Sequence, residues 1–122
     1  MNARTLRIGA ILMALAVAAG AFGAHGLEDM VTPERLQTWN TGARYMVMHS
    51  LALCGIALLP RTPRAVGALF LAGILLFSGS LFALVLLDMG VLGAITPLGG
   101  LAFISGWIAL AVQAPKLIET RQ

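Results

Sequence analysis

Read for polarity alone, the chain is four long apolar stretches separated by short polar intervals. No charged residue falls between Arg7 and Glu28, between Arg44 and Arg61, between Arg64 and Asp88, or between Asp88 and Lys116. A helix needs about 20 apolar residues to cross the roughly 30 Å hydrocarbon layer of a bilayer. The pattern predicts membrane-spanning helices at about 6–27, 43–59, 65–87 and 97–114, the second short enough to need tilt or local bilayer adjustment. A signal peptide competes for the first stretch, with Arg4 and Arg7 as its charged start and small residues after Ala16 as its cleavage site. The apolar run continues to Leu27, whereas such segments hold about 7–15 residues, and a span is favoured.

The interval before the second stretch has a pattern of its own. "VTPERL" places Thr32 as a helix cap and Pro33 at the first helical position, where its missing N–H is of no consequence. From there Leu36, Trp39, Ala43, Met46, Val47 and Ser50 gather on one arc of a helical wheel. Glu34, Gln37, Thr38, Asn40, Thr41, Arg44, Tyr45 and His49 fill the opposite arc. This amphipathic pattern predicts an interfacial helix over about 33–42, lying along the outer surface or leaning against the other helices before the chain dips into the second span. Trp39 and Tyr45 suit the interface, and Arg44 can snorkel to it. "AITPLGG" repeats the capping device with Thr96 and Pro97 at the start of the fourth span, and "PRTPR" predicts a tight turn between antiparallel second and third spans.

Small residues suggest how the spans pack. From Ala16 to Ala24, seven of nine residues are Gly or Ala, and helices in lipid associate through close contact between small residues. A helix small on nearly every side predicts a first span at the centre of the bundle. Ala14, Ala18, Ala21 and His25 share one face of that helix, which predicts an imidazole turned toward protein.

Composition agrees with the pattern: 59% of the 122 residues are hydrophobic and 11% charged, against about 25% charged in soluble domains. The mean hydropathy is +0.91. The reading is one all-α domain, 1–122: an integral membrane four-helix bundle with an amphipathic outer-surface extension before the second span. Arg4, Arg7, Arg61, Arg64, Lys116 and Arg121 fall on one side, and Arg35 and Arg44 on the other. Because the cytoplasmic side retains Lys and Arg, both termini are expected there. The basic balance then reflects membrane orientation, with no nucleic-acid partner implied. Cys54 has no second cysteine to pair with and reads as a small packing residue.

"GAFGAHGL", "ARYMVMHSLAL", "FSGSLF" and "ITPLGGLAFISGW" closely resemble the small membrane proteins of domain of unknown function 423, whose eukaryotic relatives are the transmembrane-protein-256-like proteins. The resemblance runs through nearly the whole chain in order. It implies a bacterial cytoplasmic-membrane protein of about four helices in a family without an established function. "YMVMH" departs from the more polar or aromatic residue that many relatives carry before the histidine, which bears on any side-chain role there.

The residues themselves offer little chemistry. His25 and His49 could ligate a metal or haem from two helices, but Glu28 is the only nearby carboxylate at helical spacing. His49 also lies about 9 Å deeper than the mouth of its span at 1.5 Å per residue. No cofactor is expected. No Ser-His-Asp set, carboxylate pair or phosphate-cradling loop is readable, so no catalysis is expected, and the span centres lack the ionisable groups that pumping requires. Recognition of a lipid head group or quinone is better supported. His25, Arg44, Tyr45 and His49 lie toward the outer end, joined there by Thr96, Gly99 and Gly100, where small residues let a ligand approach backbone. The expected function is an accessory or assembly subunit or a lipid-phase ligand binder, with membrane lipids, a membrane-protein partner or further copies of itself as partners. A small oligomeric channel or transporter is the alternative.

Overall fold

A computed structural model describes residues 1–120, and all their regular structure is helical. Helix α1 (Ala3–Phe22) ends in a wide turn, Gly23–Leu27, and α2 runs unbroken over Pro33–Ala57. Helices α3 (Arg64–Gly73) and α4 (Gly79–Leu87) are joined through a second wide turn, Ile74–Ser78, into one rod. A 3₁₀ turn (Gly90–Ala94) then leads into α5 (Thr96–Leu117). The four predicted helical segments are present. Three of the four rods, Ala3–Leu27, Arg64–Leu87 and Gly90–Leu117, are long and apolar enough to cross a membrane.

The surface extension is not a separate element. The predicted interfacial helix at 33–42 and the second span at 43–59 form a single 25-residue helix. Nothing interrupts its inward seam: Trp39, Ala43, Met46, Ser50, Leu53 and Ala57 recur at alternating four- and three-residue steps, and all are buried. A seam with that period holds one helix against its neighbours along its length. Its polar residues are accommodated within the helix, Thr38 and Thr41 donating to the carbonyls of Glu34 and Gln37 at 3.1 and 3.0 Å. Thr32 caps α2 as expected, accepting from the Arg35 N–H at 3.2 Å, with Pro33 in the first turn.

The first helix stands at an edge of the bundle. It packs along α2 and buries only Gly9 and Ala16, with Gly23 and Leu27 beyond. The contacting seam is Asn2, Gly9, Ala16 and Gly23, one residue every seven. At Gly9 a Cβ would come within 2.8 Å of the Cys54 sulfur, and at Gly23 within 2.8 Å of the Trp39 ring. Ala14, Ala18, Ala21 and His25 do share a face, but it is the opposite, exposed one. Small residues lie all around this helix, so their density could not say which side was used. The positions where a Cβ would collide with α2, Gly9 and Gly23, mark it.

The second interface joins the α3–α4 rod to α5 by reciprocal insertion of rings into glycine gaps. Phe70 packs over Gly106, Phe103 over Gly73, and the Phe77 backbone and Cβ over Gly99. The spacing Phe–x2–Gly–x3–Phe on one helix mirrors Gly–x3–Phe–x2–Gly on the other, which is what antiparallel neighbours require. Phe70 and Phe103 join Ile74, Val66, Leu53, Ile56, Met46 and Ala16 in the main core. A smaller core at the other end holds Leu27, Trp39, Leu84 and Val85.

The start of the chain, the middle connector and the end of α5 lie at the same end of the bundle. The Met1 ammonium donates to the Pro60 carbonyl at 3.2 Å, Asn2 N–H to Ala57 at 2.9 Å, and Arg61 N–H to Leu117 at 3.2 Å. Arg4, Arg7, Arg61, Arg64 and Lys116 therefore collect at one end; Arg121, counted with them, lies outside the described residues. At the other end Asp88, in the left-handed conformation at φ 52°, terminates α4 and pairs with Arg35 at 3.2 Å.

Substituting Gly23 or Gly106 by Leu is expected to lower stability by about 1–3 kcal/mol or more, the usual range for overpacking. Gly20→Leu should be mild, because nothing lies within 4 Å of a Cβ placed there. Thermal melts of the three variants in detergent check this, and equal melting of all three would contradict the two interfaces.

Candidate functional site

Among the described residues the buried ionisable side chain is His49, 3% exposed on the inward side of α2. Its ring lies flat on Phe103, with centroids 3.5 Å apart and planes 12° apart, while Phe70 and Trp107 meet it edge-on at 5.5 and 5.8 Å. The Trp107 indole N–H donates to His49 Nε2 at 3.0 Å, and Nδ1 lies 2.8 Å from the Tyr45 carbonyl. Indole can only donate and a carbonyl can only accept. The imidazole is therefore neutral, with its proton on Nδ1, and both nitrogens are engaged. This places His49 as a clamp between α2 and α5, with neither nitrogen free for a metal or haem.

Three further interior polar contacts join helices. The Ser78 hydroxyl donates to the Gly42 carbonyl at 2.7 Å, tying the α3–α4 rod to α2, and the Trp39 indole donates to the Ala19 carbonyl at 2.8 Å, tying α2 to α1. Ser80 donates to the Phe77 carbonyl at 2.9 Å and lies 2.6 Å from the Thr96 hydroxyl. A hydroxyl has one proton, so Thr96 must donate to Ser80. Thr96 is thus not the cap of α5: it sits inside the first turn, with Ile95 at the capping position, and its hydroxyl crosses to the neighbouring rod. Ser50 Oγ is buried and has no partner among the described residues.

The seven residues grouped from the sequence do not converge. Tyr45 and His49 are stacked neighbours on α2. Arg44 and His25 are exposed, His25 on the outward alanine face. Thr96 is paired with Ser80, Gly99 is covered by Phe77, and Gly100 is partly buried beside it. None of the seven lines any of the four clefts described, which lie at the basic end, between α2 and α5, and around Asp88. Among the described residues, no three His, Cys, Asp or Glu side chains come together as a metal site.

Sequence reasoning did not single out Trp107, Phe103 or Phe70 as partners of this interior. The mirrored Phe and Gly spacing in "FLAGILLF" and "GGLAFISG" carried the signal, because it fixes which residues of the last two rods stand level. Trp107 follows Gly106 directly and so falls beside the ring of Phe70, with centroids 4.7 Å apart.

Residues 19–100 match the family described as "Protein of unknown function (DUF423)". The UPF0382 membrane protein YwdK of Bacillus subtilis is 47% identical over 91% of this chain and 95% of its own length. UPF0382 membrane protein SAB0533 of Staphylococcus aureus is 44% identical over 89% of this chain and 93% of its own. A fission-yeast relative, UPF0382 membrane protein C1782.12c of Schizosaccharomyces pombe, is 38% identical over 86% and 96%. No solved structure matches the chain.

Trp107→Phe removes the donor to His49 while retaining a ring. The expected cost is about 0.5–2 kcal/mol, the range for polar contacts between membrane helices. Nitrogen NMR should find the Nδ1–H tautomer of His49 in the parent and a mixture of tautomers in the variant. An unchanged tautomer ratio would remove Trp107 from the role assigned to it.

Proposed function

The chain belongs to the DUF423 family of membrane proteins, and on that premise we propose that it is a non-catalytic assembly subunit of the bacterial cytoplasmic membrane that works through its flank. In this reading all four rods cross the bilayer and both termini are cytoplasmic. Helix α2 runs antiparallel to α1 along its length, Asn2 meeting Ala57 at one end and Ala19 meeting Trp39 at the other, so two rods of similar length traverse the same thickness. The polar first half of α2 lies among α1, α4 and the loops at the far end.

One observation carries the assembly reading: α1 and α5 stand at opposite edges and expose complementary stripes. On α1 the stripe is Ala3, Arg7, Ala10, Ala14, Val17, Ala21 and Ala24, every residue exposed at alternating steps of four and three. On α5, Leu98, Leu101, Ser105, Ile108, Val112 and Pro115 repeat with the same period and lead to Glu119, again all exposed. Small residues on one helix admit the larger ridges of another. The two helices run antiparallel, so α1 of one copy can lie along α5 of the next with Arg7 at the level of Glu119. Two identical copies joined through α1 would instead set Arg7 against Arg7. The favoured occupant is therefore the α5 flank of a second copy, a head-to-tail contact that closes into a ring when the rotation permits. A pore through a single copy draws less support, because rings and aliphatic side chains fill the space between its rods.

Two measurements test this reading. In a Cys54→Ala background, Ala14→Cys with Val112→Cys, level with each other in this register, is expected to form disulfide-linked multimers in native membranes; absence of cross-linking between copies would refute the contact. Labelling of single cysteines should find 61–64 inside and 28–29 outside, and the reverse would overturn the orientation.

A further inference from the structure

At the basic end, α1 and α3 begin side by side and leave a cleft of about 340 Å³ between them. Two arginines line it, Arg4 from α1 and Arg64 from α3. Neither takes part in an ion pair among the described residues, where the one salt bridge is Arg35–Asp88 at the far end. Deeper in, the lining is apolar: Ile8 on α1, Leu53 on α2, and Ala68 and Leu71 on α3.

The order of these residues along each wall matters. Arg4 and Ile8 are one turn apart on α1, and Arg64, Ala68 and Leu71 descend one face of α3 at steps of four and three. Residues so spaced lie one above the other. Both walls therefore present a guanidinium above an apolar surface, at the same end of the bundle. Both helices also direct their N-terminal, partially positive ends here, with no acidic residue in either first turn. Pro63 supplies no side-chain cap to α3.

We propose that this cleft binds an anionic phospholipid of the adjoining leaflet, its phosphate between Arg4 and Arg64 and an acyl chain running down past Ile8, Leu53 and Leu71. Basic pockets between membrane helices attract anionic head groups, and guanidinium is the cation whose fork suits phosphate oxygens. The apolar lower wall selects a lipid over a free anion, since inorganic phosphate would use only the mouth. The site lies away from the outward stripe of α1 and does not depend on contact between copies.

The test compares lipid retention and melting of the full chain in mild detergent with added phosphatidylglycerol, phosphatidylcholine or inorganic phosphate. Phosphatidylglycerol is expected to be retained in native mass spectra and to raise the melting temperature, with phosphatidylcholine and phosphate doing neither. Arg4→Gln with Arg64→Gln should reduce retention roughly tenfold. Ala68→Leu, at an exposed position on the cleft wall, should also reduce it without changing charge. Lys116→Gln, at the same end but outside the cleft lining, should keep it. Undiminished retention in the double arginine variant or in Ala68→Leu would overturn the proposal. So would an equal loss in Lys116→Gln, which would signify general attraction to the basic end, or equal stabilisation by phosphate alone.

Discussion

The fold depends on how closely two helices can approach where lipid, not water, surrounds them. Exchanging acyl chains for another helix brings little hydrophobic gain, so attraction must come from packing at short range. The α3–α4 rod and α5 meet that demand by interlocking Phe70 with Gly106, Gly73 with Phe103, and Phe77 with Gly99. The resulting register sets Phe103 level with the inward face of α2 and Trp107 one turn beyond. The cage around His49 follows from it.

Within this frame, buried polarity serves to hold helix to helix. Polar groups in an apolar interior need partners, and, Ser50 Oγ aside, the chain supplies them among the described residues. Trp39 reaches back to a carbonyl of α1, Ser78 reaches across to α2, Thr96 pairs with Ser80, and Trp107 pairs with His49. Each bond joins different rods. A histidine whose nitrogens both serve the fold has little capacity left for ligand chemistry, which directs attention from the bundle interior to its flanks and ends.

Those flanks and ends differ. The end where the chain starts and α5 finishes carries Arg4, Arg7, Arg61, Arg64 and Lys116 around a cleft with apolar lower walls. The opposite end carries Glu28, Asp29, Glu34 and Asp88, with Arg35 in a surface ion pair. Laterally, a small-residue helix occupies one edge and a large-residue helix the other. This arrangement allows copies to meet edge to edge while each presents a cationic cleft to one leaflet.

By itself, the sequence determined class and segmentation. Long uncharged runs cannot be left in water, so four helical rods, the tight 60–64 connector and the Thr32–Pro33 start were all legible, three of the rods being long and apolar enough to cross a membrane, and the charge pattern grouped the start of the chain, the middle connector and Lys116. The role of individual faces was not. On α1, Gly and Ala surround the helix, so composition could not distinguish the Gly9–Ala16–Gly23 seam from the outward Ala14–Ala18–Ala21–His25 face; only the position of α2 decided between them. On α2, the polar arc suggested a separate interfacial segment, yet an unbroken apolar seam and internal hydroxyl bonds keep it one continuous helix. Of the grouped polar residues, Tyr45 and His49 stay together because they are one turn apart on the same helix. Thr96 and Gly99 were claimed by partners on the preceding rod, Ser80 and Phe77. Periodicity reports how residues are disposed around one helix axis. Which neighbour stands on each side depends on contacts between rods distant in sequence, and tertiary packing alone establishes those.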